Sequence, residues 1–256
     1  MVGSLKAKLK QLQHSRFRAN RLAYHACRVV WFGCRLLVNA RLRSETIGPW
    51  RHRGVQHQRL TFTKPNRYPL LFEVCRRHCA PLGEPRLLSY GCSTGDEVFS
   101  LAERLPTASL VGVDINEWCL AQCRRKDPQH RHAFHHRLSP EFAGGRDFDV
   151  ILCLAVFQRS EHHKAADNSV AVGQTFAQFE QEISVLDAKL KPGGLFIIDH
   201  ADFRFTDTAC AVRYTPLDFP NNRLLRVRPL YGPDNRKLAD QHDSPRVFVK
   251  RANCPG

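Results

Sequence analysis

No two cysteines stand in a C-x-x-C arrangement, although the chain holds ten of them in 256 residues. A chain of this length needs no disulfide framework to fold, and no secretory leader is recognised. Reduced thiols in a cytoplasmic protein are therefore the expectation. Cys75 and Cys79 lie four apart, as do Cys119 and Cys123, which sets each pair on one helical face. Metal ligation could use that spacing, with His78 close by. Small buried thiols in amphipathic helices are the simpler reading, and no metal is expected.

Acids are almost missing from the first sixty positions. Glu45 stands alone there against 13 Lys and Arg, whereas the other 196 residues carry 26 basic and 23 acidic side chains. The net charge of +15 thus belongs to residues 1–60 (+12), and the body is close to neutral (+3). An unbroken apolar run of membrane-spanning length is also lacking, since His25, Arg28 and Arg35 interrupt the stretch Arg21–Arg43. His14, Arg21, Arg28 and Arg35 recur every seven residues, a basic stripe on a helix. Val29, Val30, Trp31, Phe32, Leu36 and Leu37 occupy much of the remaining surface. Three readings stay open: a helix covering the domain, a basic segment (residues 6–59) that meets RNA or an anionic membrane, and an organelle-targeting start. Residues 1–60 are read as a helical extension and 61–256 as the domain.

What is present from Thr61 onward is an alternation. Leu70, Leu71, Val74, Cys75 and His78 are spaced for a helix, and "RLLSY" (86–90) reads as a strand. A glycine loop and a helix containing Val98, Phe99, Leu101 and Ala102 follow. "SLVGVD" (109–114) is a short strand ending on an acid, and Asn116 suits a helix N-cap. "RHAFHH" (131–136) is a weaker strand, and "FDVILCLAVF" (148–157) is continuously apolar, as in a sheet covered on both faces. Phe176, Phe179, Ile183, Leu186 and Leu190 mark a long helix stopped by Lys191–Gly194, and "LFIID" (195–199) is the next strand. "RLLRVRP" (223–229) and "RVFVKRA" (246–252) flank turn residues and read as a hairpin. The expected fold is α/β: a doubly wound, Rossmann-like, mostly parallel sheet of seven strands with an antiparallel edge.

The loop "GCSTG" (91–95) fits two chemistries. As G-x-S-x-G it would make Ser93 the nucleophile of a hydrolase, but no oxyanion-type glycine run precedes it and its strand is the first in the chain. As a glycine-bracketed turn before a helix it would cradle a cofactor. Asp114, nineteen residues after Gly95, stands at the spacing where a carboxylate accepts from two ribose hydroxyls. Ser93 and Asp96 stand where G-x-G-x-x-G requires glycine, and Asp96 and Glu97 would repel a pyrophosphate at the helix N-terminus. A cationic cofactor without phosphate, such as S-adenosylmethionine, suits the loop better.

With these residues in place, residues 61–200 resemble the class I S-adenosylmethionine-dependent methyltransferases. The matching features are Gly91–Gly95 after the first strand, Asp114 ending the second, "FD" (Phe148, Asp149) opening the fourth, and "LKPGG" before the fifth. "GCSTGDEVFSLA" is similar to the G/A-C-S-T-G-E-E-P-Y-S-x-A loop of chemotaxis receptor methyltransferases, and "TKPNRYPLLF" to their T-x-F-F-R stretch. That resemblance implies that Arg67 meets the cofactor carboxylate. Gly91, Cys92, Ser93, Gly95, Asp114, Ile115, Cys153 and Leu154 would line the cofactor, with Glu97 opposite its ammonium. The chain departs from the chemotaxis enzymes at Leu154 and Ala155, where they carry Arg and Asn, so receptor glutamate is not the expected acceptor. His135, His136, Arg137, Gln158–His163, His200, Asp202 and Arg204 follow strand ends, where acceptors bind in such sheets. His200 and Asp202 are the favoured acceptor contacts. The acceptor is expected to be a small molecule or protein side chain, with RNA as the alternative. A non-catalytic cofactor-fold protein and the Ser93 hydrolase remain as other classes.

Overall fold

A computed structural model describes residues 13, 15–51, 63–158, 174–219, 229–239 and 245–252. The chain divides into two compact units, Met1–Gly48 and Pro49–Gly256. The first holds helix α1 (Arg18–Val38), no residue of which is buried, and most of α2 (Ala40–Arg51), whose last residues belong to the second. Asn39 separates the two helices. Its amide closes α1 on the Arg35 carbonyl and its Oδ1 accepts the Leu42 amide at 2.9 Å, so one residue caps both helices. Arg21, Arg28 and Arg35 of the expected basic stripe all lie on α1, and the stretch Arg21–Arg43 is divided between two helices at Asn39. His14 and residues 6–12 and 52–59 of the basic segment lie outside the described residues.

Beyond α2, the second unit opens with α3 (Pro69–Cys79), β1 (Arg86–Tyr90), α4 (Asp96–Arg104), β2 (Ser109–Asp114), α5 (Glu117–Lys126) and β3 (Ala133–His136). It continues with α6 (Pro140–Gly144), β4 (Phe148–Leu154), α7 (Phe176–Asp187), β5 (Leu190–Asp199), β6 (Tyr214–Pro216) and β7 (Val247–Lys250). The strands form one sheet in the order β3-β2-β1-β4-β5-β7-β6. The first five run parallel, and β7 is antiparallel to both β5 and β6. This is the expected doubly wound, Rossmann-like sheet with an antiparallel edge. The edge partner differs from expectation: β7 pairs with Tyr214–Pro216, and residues 223–228 of the expected strand 223–229 lie outside the described residues.

Alternation along β1 splits the core. Leu87 faces Leu71, Phe72, Val98, Leu101 and Leu120 of α3, α4 and α5, whereas Leu88 and Tyr90 face Phe142, Phe179, Ile183 and Leu186 of α6 and α7. Asn116 caps α5 by accepting from the Trp118 and Cys119 amides, as its position suggested.

The LKPGG stretch corrects the expectation in detail. Helix α7 ends at Asp187, and Leu190 already pairs with Phe148 inside β5, so Lys191–Gly194 bulges from the strand instead of stopping the helix. Asp149 ties this bulge down: Oδ1 accepts from Lys191 Nζ at 2.8 Å and Oδ2 from the Arg86 amide at 2.7 Å. A Cβ on Gly194 would come within 2.9 Å of the Asp149 carbonyl oxygen, and Gly193 has φ +78°. "FD" and "LKPGG" are thus two halves of one structural clasp across β1, β4 and β5.

Candidate functional site

The glycine loop lies at the carboxyl end of β1 and is bound from both sides. The Gly91 and Cys92 amides donate to the Val113 carbonyl at 2.7 and 3.0 Å. The Ser93 amide donates to Asp114 Oδ2 at 2.8 Å, and Oδ1 accepts the Asn116 amide at 2.8 Å. From α5, the Cys123 thiol donates to the Ser93 carbonyl at 3.1 Å, and Cys119 Sγ lies 3.9 Å from Ser93 Oγ. Lys126 Nζ donates to the Thr94 carbonyl and to Asp96 Oδ1 at 2.9 and 2.7 Å. These positions share one face of α5, which gives the Cys119/Cys123 spacing a role in seating the loop. In these contacts Ser93 anchors the turn, which lends nothing to its reading as a hydrolase nucleophile.

Gly91 and Gly95 have φ of +80° and +84°, and Ser93 between them +49°. What a Cβ meets here is protein: Val156 Cγ2 at 2.6 Å from Gly91, and the Phe99 ring at 2.8 Å and Cys123 Sγ at 3.0 Å from Gly95.

Behind the loop, Ser89 Oγ donates to Glu97 Oε1 at 2.8 Å. Burial pushes the Glu97 carboxyl up to about 8, although the Ser89 hydrogen bond and the charge of Arg67 pull the other way. Burial likewise raises Asp114, against the Asn116 and Ser93 amides. Arg67 reaches this place because its segment is pinned to α4: the Asn66 amide donates to Ser100 Oγ at 2.9 Å, and Arg104 Nη2 to Asn66 Oδ1 at 2.7 Å. An acid and a base thus stand together beside the loop.

The ends of β4 and β5 complete the crevice. Cys153 and Leu154 are buried. Ala155, at φ +59°, donates its amide to the Asp199 carbonyl at 2.9 Å. His200 has φ +53°; its Nδ1 lies 3.1 Å from Asp199 Oδ1, and its ring meets Tyr68 edge-on at 6.0 Å. Asp202 is buried, its amide donating to the Phe157 carbonyl at 2.8 Å and its carbonyl accepting from Tyr231 at 2.9 Å. His136 Nε2 lies 3.0 Å from the Ile115 carbonyl oxygen. Arg137 is engaged elsewhere, donating through Nη2 to both Glu182 oxygens (2.9 and 2.8 Å) and through Nε to the Tyr90 hydroxyl (2.8 Å). Gln158 is buried and its Nε2 has no hydrogen-bond partner among the described residues; residues 159–163 lie outside them.

Three non-glycine residues with left-handed backbone, Ser93, Ala155 and His200, thus follow β1, β4 and β5, where such strain gathers at functional sites. Sequence reading missed Ser89, Tyr68 and Ala155. Only the serine, eight residues before Glu97, carried a signal: a short hydroxyl in an apolar strand.

The loop side of this crevice lies within a part of the chain that known proteins share, whereas Arg67, Tyr68, His200 and Asp202 fall outside it. Residues 88–196 match the family model described as a methyltransferase domain. The methyltransferase match runs from β1 through the core of β5 and contains the glycine loop, Glu97, Asp114 and Ala155. Trans-aconitate 2-methyltransferase of Variovorax paradoxus is 30% identical over 141 residues, which are 55% of this chain and 48% of that protein. An uncharacterized protein of Synechococcus sp. is 28% identical over 136 residues, 51% of this chain and 29% of that one. The chain spans less than half the length of either curated relative. Among solved structures, a SAM-bound amino pentose methyltransferase from Micromonospora echinaspora shares 24% identity at a TM-score of 0.35, covering 49% of this chain and 47% of that one. A sugar N-methyltransferase from Streptoalloteichus sp. shares 26% at 0.34, covering 50% and 46%.

Proposed function

We propose that the chain is an S-adenosylmethionine-dependent methyltransferase acting on a small molecule. The observation that carries this is the pairing of a loop tied to Asp114 through the Ser93 amide with a desolvated acid, Glu97, set beside Arg67. The donor set fits this cofactor. Glu97 lies where a carboxylate lacks solvent and gains from an ammonium, and Arg67 offers its fork to a carboxylate, as the resemblance of the loop to the chemotaxis enzymes implies. Asp114 retains acceptor capacity for ribose hydroxyls beyond the two amides it holds. Asp96 and Glu97 open α4, which disfavours a pyrophosphate. The match to a methyltransferase domain supports the same reading.

When bound, S-adenosylmethionine supplies a methyl carbon made electrophilic by its sulfonium. The chain's own task is to hold the acceptor lone pair in line with that carbon and to exclude water. His200, beside Asp199 and Tyr68, is proposed to touch the acceptor and take its proton where the acceptor must lose one. Burial works to raise Asp199, but contacts with His200 and Arg246 outweigh it and hold the group below its ordinary range, so a carboxylate faces the imidazole. The buried Asp202 is proposed to hold this turn in place.

Calorimetry of the full chain with S-adenosylmethionine and with NAD tests the cofactor. Binding of the first alone is expected, and binding of neither or only of NAD overturns the reading. Transfer of labelled methyl from the donor into a cell extract tests turnover. Label on a species resistant to protease and ribonuclease is expected. Label on protein or RNA moves the acceptor class, and cofactor binding without any label leaves a cofactor-fold protein without catalysis.

A further inference from the structure

Helix α1 presents an exposed apolar face to solvent beside an arginine stripe, with no acid among its 21 residues. We propose that α1 lies in the interface of an anionic lipid membrane and docks the protein there. At 100° per residue, Arg21, Arg28 and Arg35 fall within an arc of about 40°, while Leu22, Ala26, Val29, Val30 and Leu37 cover the opposite side. The apolar side is open: Leu22 is 70% exposed, Val29 71%, Val30 66% and Leu37 78%. Tyr24 and Trp31 sit on the boundary between the two faces. Arg28 lies over the Tyr24 ring at 5.7 Å and Arg35 over the Trp31 ring at 4.7 Å. Amphipathic rings at the border of a basic and an apolar face occupy the headgroup level of a bilayer.

Two features select lipid over other occupants. An RNA would pair its phosphates with the arginines but leave a broad row of Leu and Val side chains in water, which a bilayer covers. The same arginines exclude a spanning role, and no helix among the described residues is long and apolar enough to cross a membrane. An interfacial helix needs what α1 has: length, a polar face rich in arginine, a wide apolar face and low mean hydropathy.

The test is vesicle flotation of the full chain at 0.1 M salt, with phosphatidylcholine alone or mixed with phosphatidylserine. Flotation with the mixed vesicles, weakened by 0.5 M salt, is expected. Combined Arg21→Gln, Arg28→Gln and Arg35→Gln should weaken that binding on the order of a hundredfold, at about a kcal/mol per arginine. Val29→Ser with Val30→Ser and Leu37→Ser should also release the protein from the mixed vesicles. All six positions are exposed, so a melting temperature equal to wild type confirms that each variant folds. Absence of flotation, or equal flotation with neutral vesicles, overturns the proposal. So does binding of a 20-nucleotide RNA, or self-association, that depends on these residues while vesicles are not bound.

Discussion

The Ser93 amide donates to Asp114 Oδ2 at 2.8 Å, which joins the turn after β1 to the end of β2 across twenty-one residues of chain. The other oxygen of Asp114 holds Asn116, the cap of α5, and α5 in turn grips the loop through Cys123 and Lys126. One carboxylate thus fixes the loop and the helix that supports it. In the proposed function it also takes the ribose, so structure and binding depend on the same group.

Asp114→Ala is expected to abolish measurable S-adenosylmethionine binding, a loss of at least about a hundredfold. Two charge-assisted hydrogen bonds disappear with the side chain, each worth about 1.5–3 kcal/mol. Asp114→Asn should retain partial binding, because one oxygen still accepts an amide while its NH2 group meets the other amide as a second donor. Calorimetry beside thermal melting checks both. Wild-type affinity in the alanine variant would remove Asp114 from the site.

Glu97 predicts a pH profile. Its carboxyl is held up to about 8 by burial, so at pH 6.5 the unliganded group is protonated. An ammonium favours the carboxylate, and binding must therefore expel a proton. Affinity should climb by up to tenfold per unit from pH 6 towards 8 and then level. Calorimetry in two buffers of different ionisation enthalpy should show close to one proton released at pH 6.5, and none for Glu97→Gln. For folding the same group has its favourable, protonated form complete below about 4.5, and loses that contribution as pH rises through about 8. Glu97→Gln should accordingly raise the melting temperature at pH 8.5 more than at pH 5.

Gly95→Ala should cost roughly 2–5 kcal/mol. About 1–2 arises from forcing an L residue to φ +84°, and about 1–3 from the overlap of its Cβ with the Phe99 ring and Cys123 Sγ. Denaturant unfolding measures this. A change below 0.5 kcal/mol would mean that the loop can relocate.

Much of this architecture is written locally. The apolar run at 148–154, the alternation in 86–90 and the Asn116 cap each act within a few residues, so periodicity and capping chemistry locate them. The loop, Asp114 and Glu97 were also legible, because an acid ending a strand and acids opening a helix carry meaning on their own. Less could be read where distant residues decide. Nothing local marks Ala155 or His200 for a left-handed backbone, and Arg137 looks like a site residue until Glu182, forty-five positions away, claims it. Lys191–Gly194 reads as a helix stop because Pro and Gly do usually punctuate. Asp149, forty-two residues earlier, turns it into a strand bulge.

His200→Gln should lower turnover on the acceptor identified by label transfer by about 10²–10⁴-fold, while cofactor affinity changes less than threefold. That split separates acceptor chemistry from cofactor binding. An unchanged rate would leave His200 as a turn residue whose ring packs on Tyr68.

The clasp at Asp149 allows a prediction of the opposite kind, in which stability falls and cofactor affinity does not. Asp149→Ala leaves the amide of Arg86, at the start of β1, without its acceptor and frees Lys191 from the bulge. An unmet buried donor costs about 1–3 kcal/mol, and the half-exposed lysine adds less than about 1. A loss of roughly 2–3 kcal/mol in denaturant unfolding is therefore expected, with the affinity for S-adenosylmethionine within threefold of wild type. Lys191→Ala alone should cost under 1 kcal/mol. Asp149 lies at the amino end of β4, whereas the cofactor residues gather at the carboxyl ends of the strands. A tenfold loss of affinity in a folded Asp149→Ala protein would show that the bulge shapes the crevice as well as the sheet.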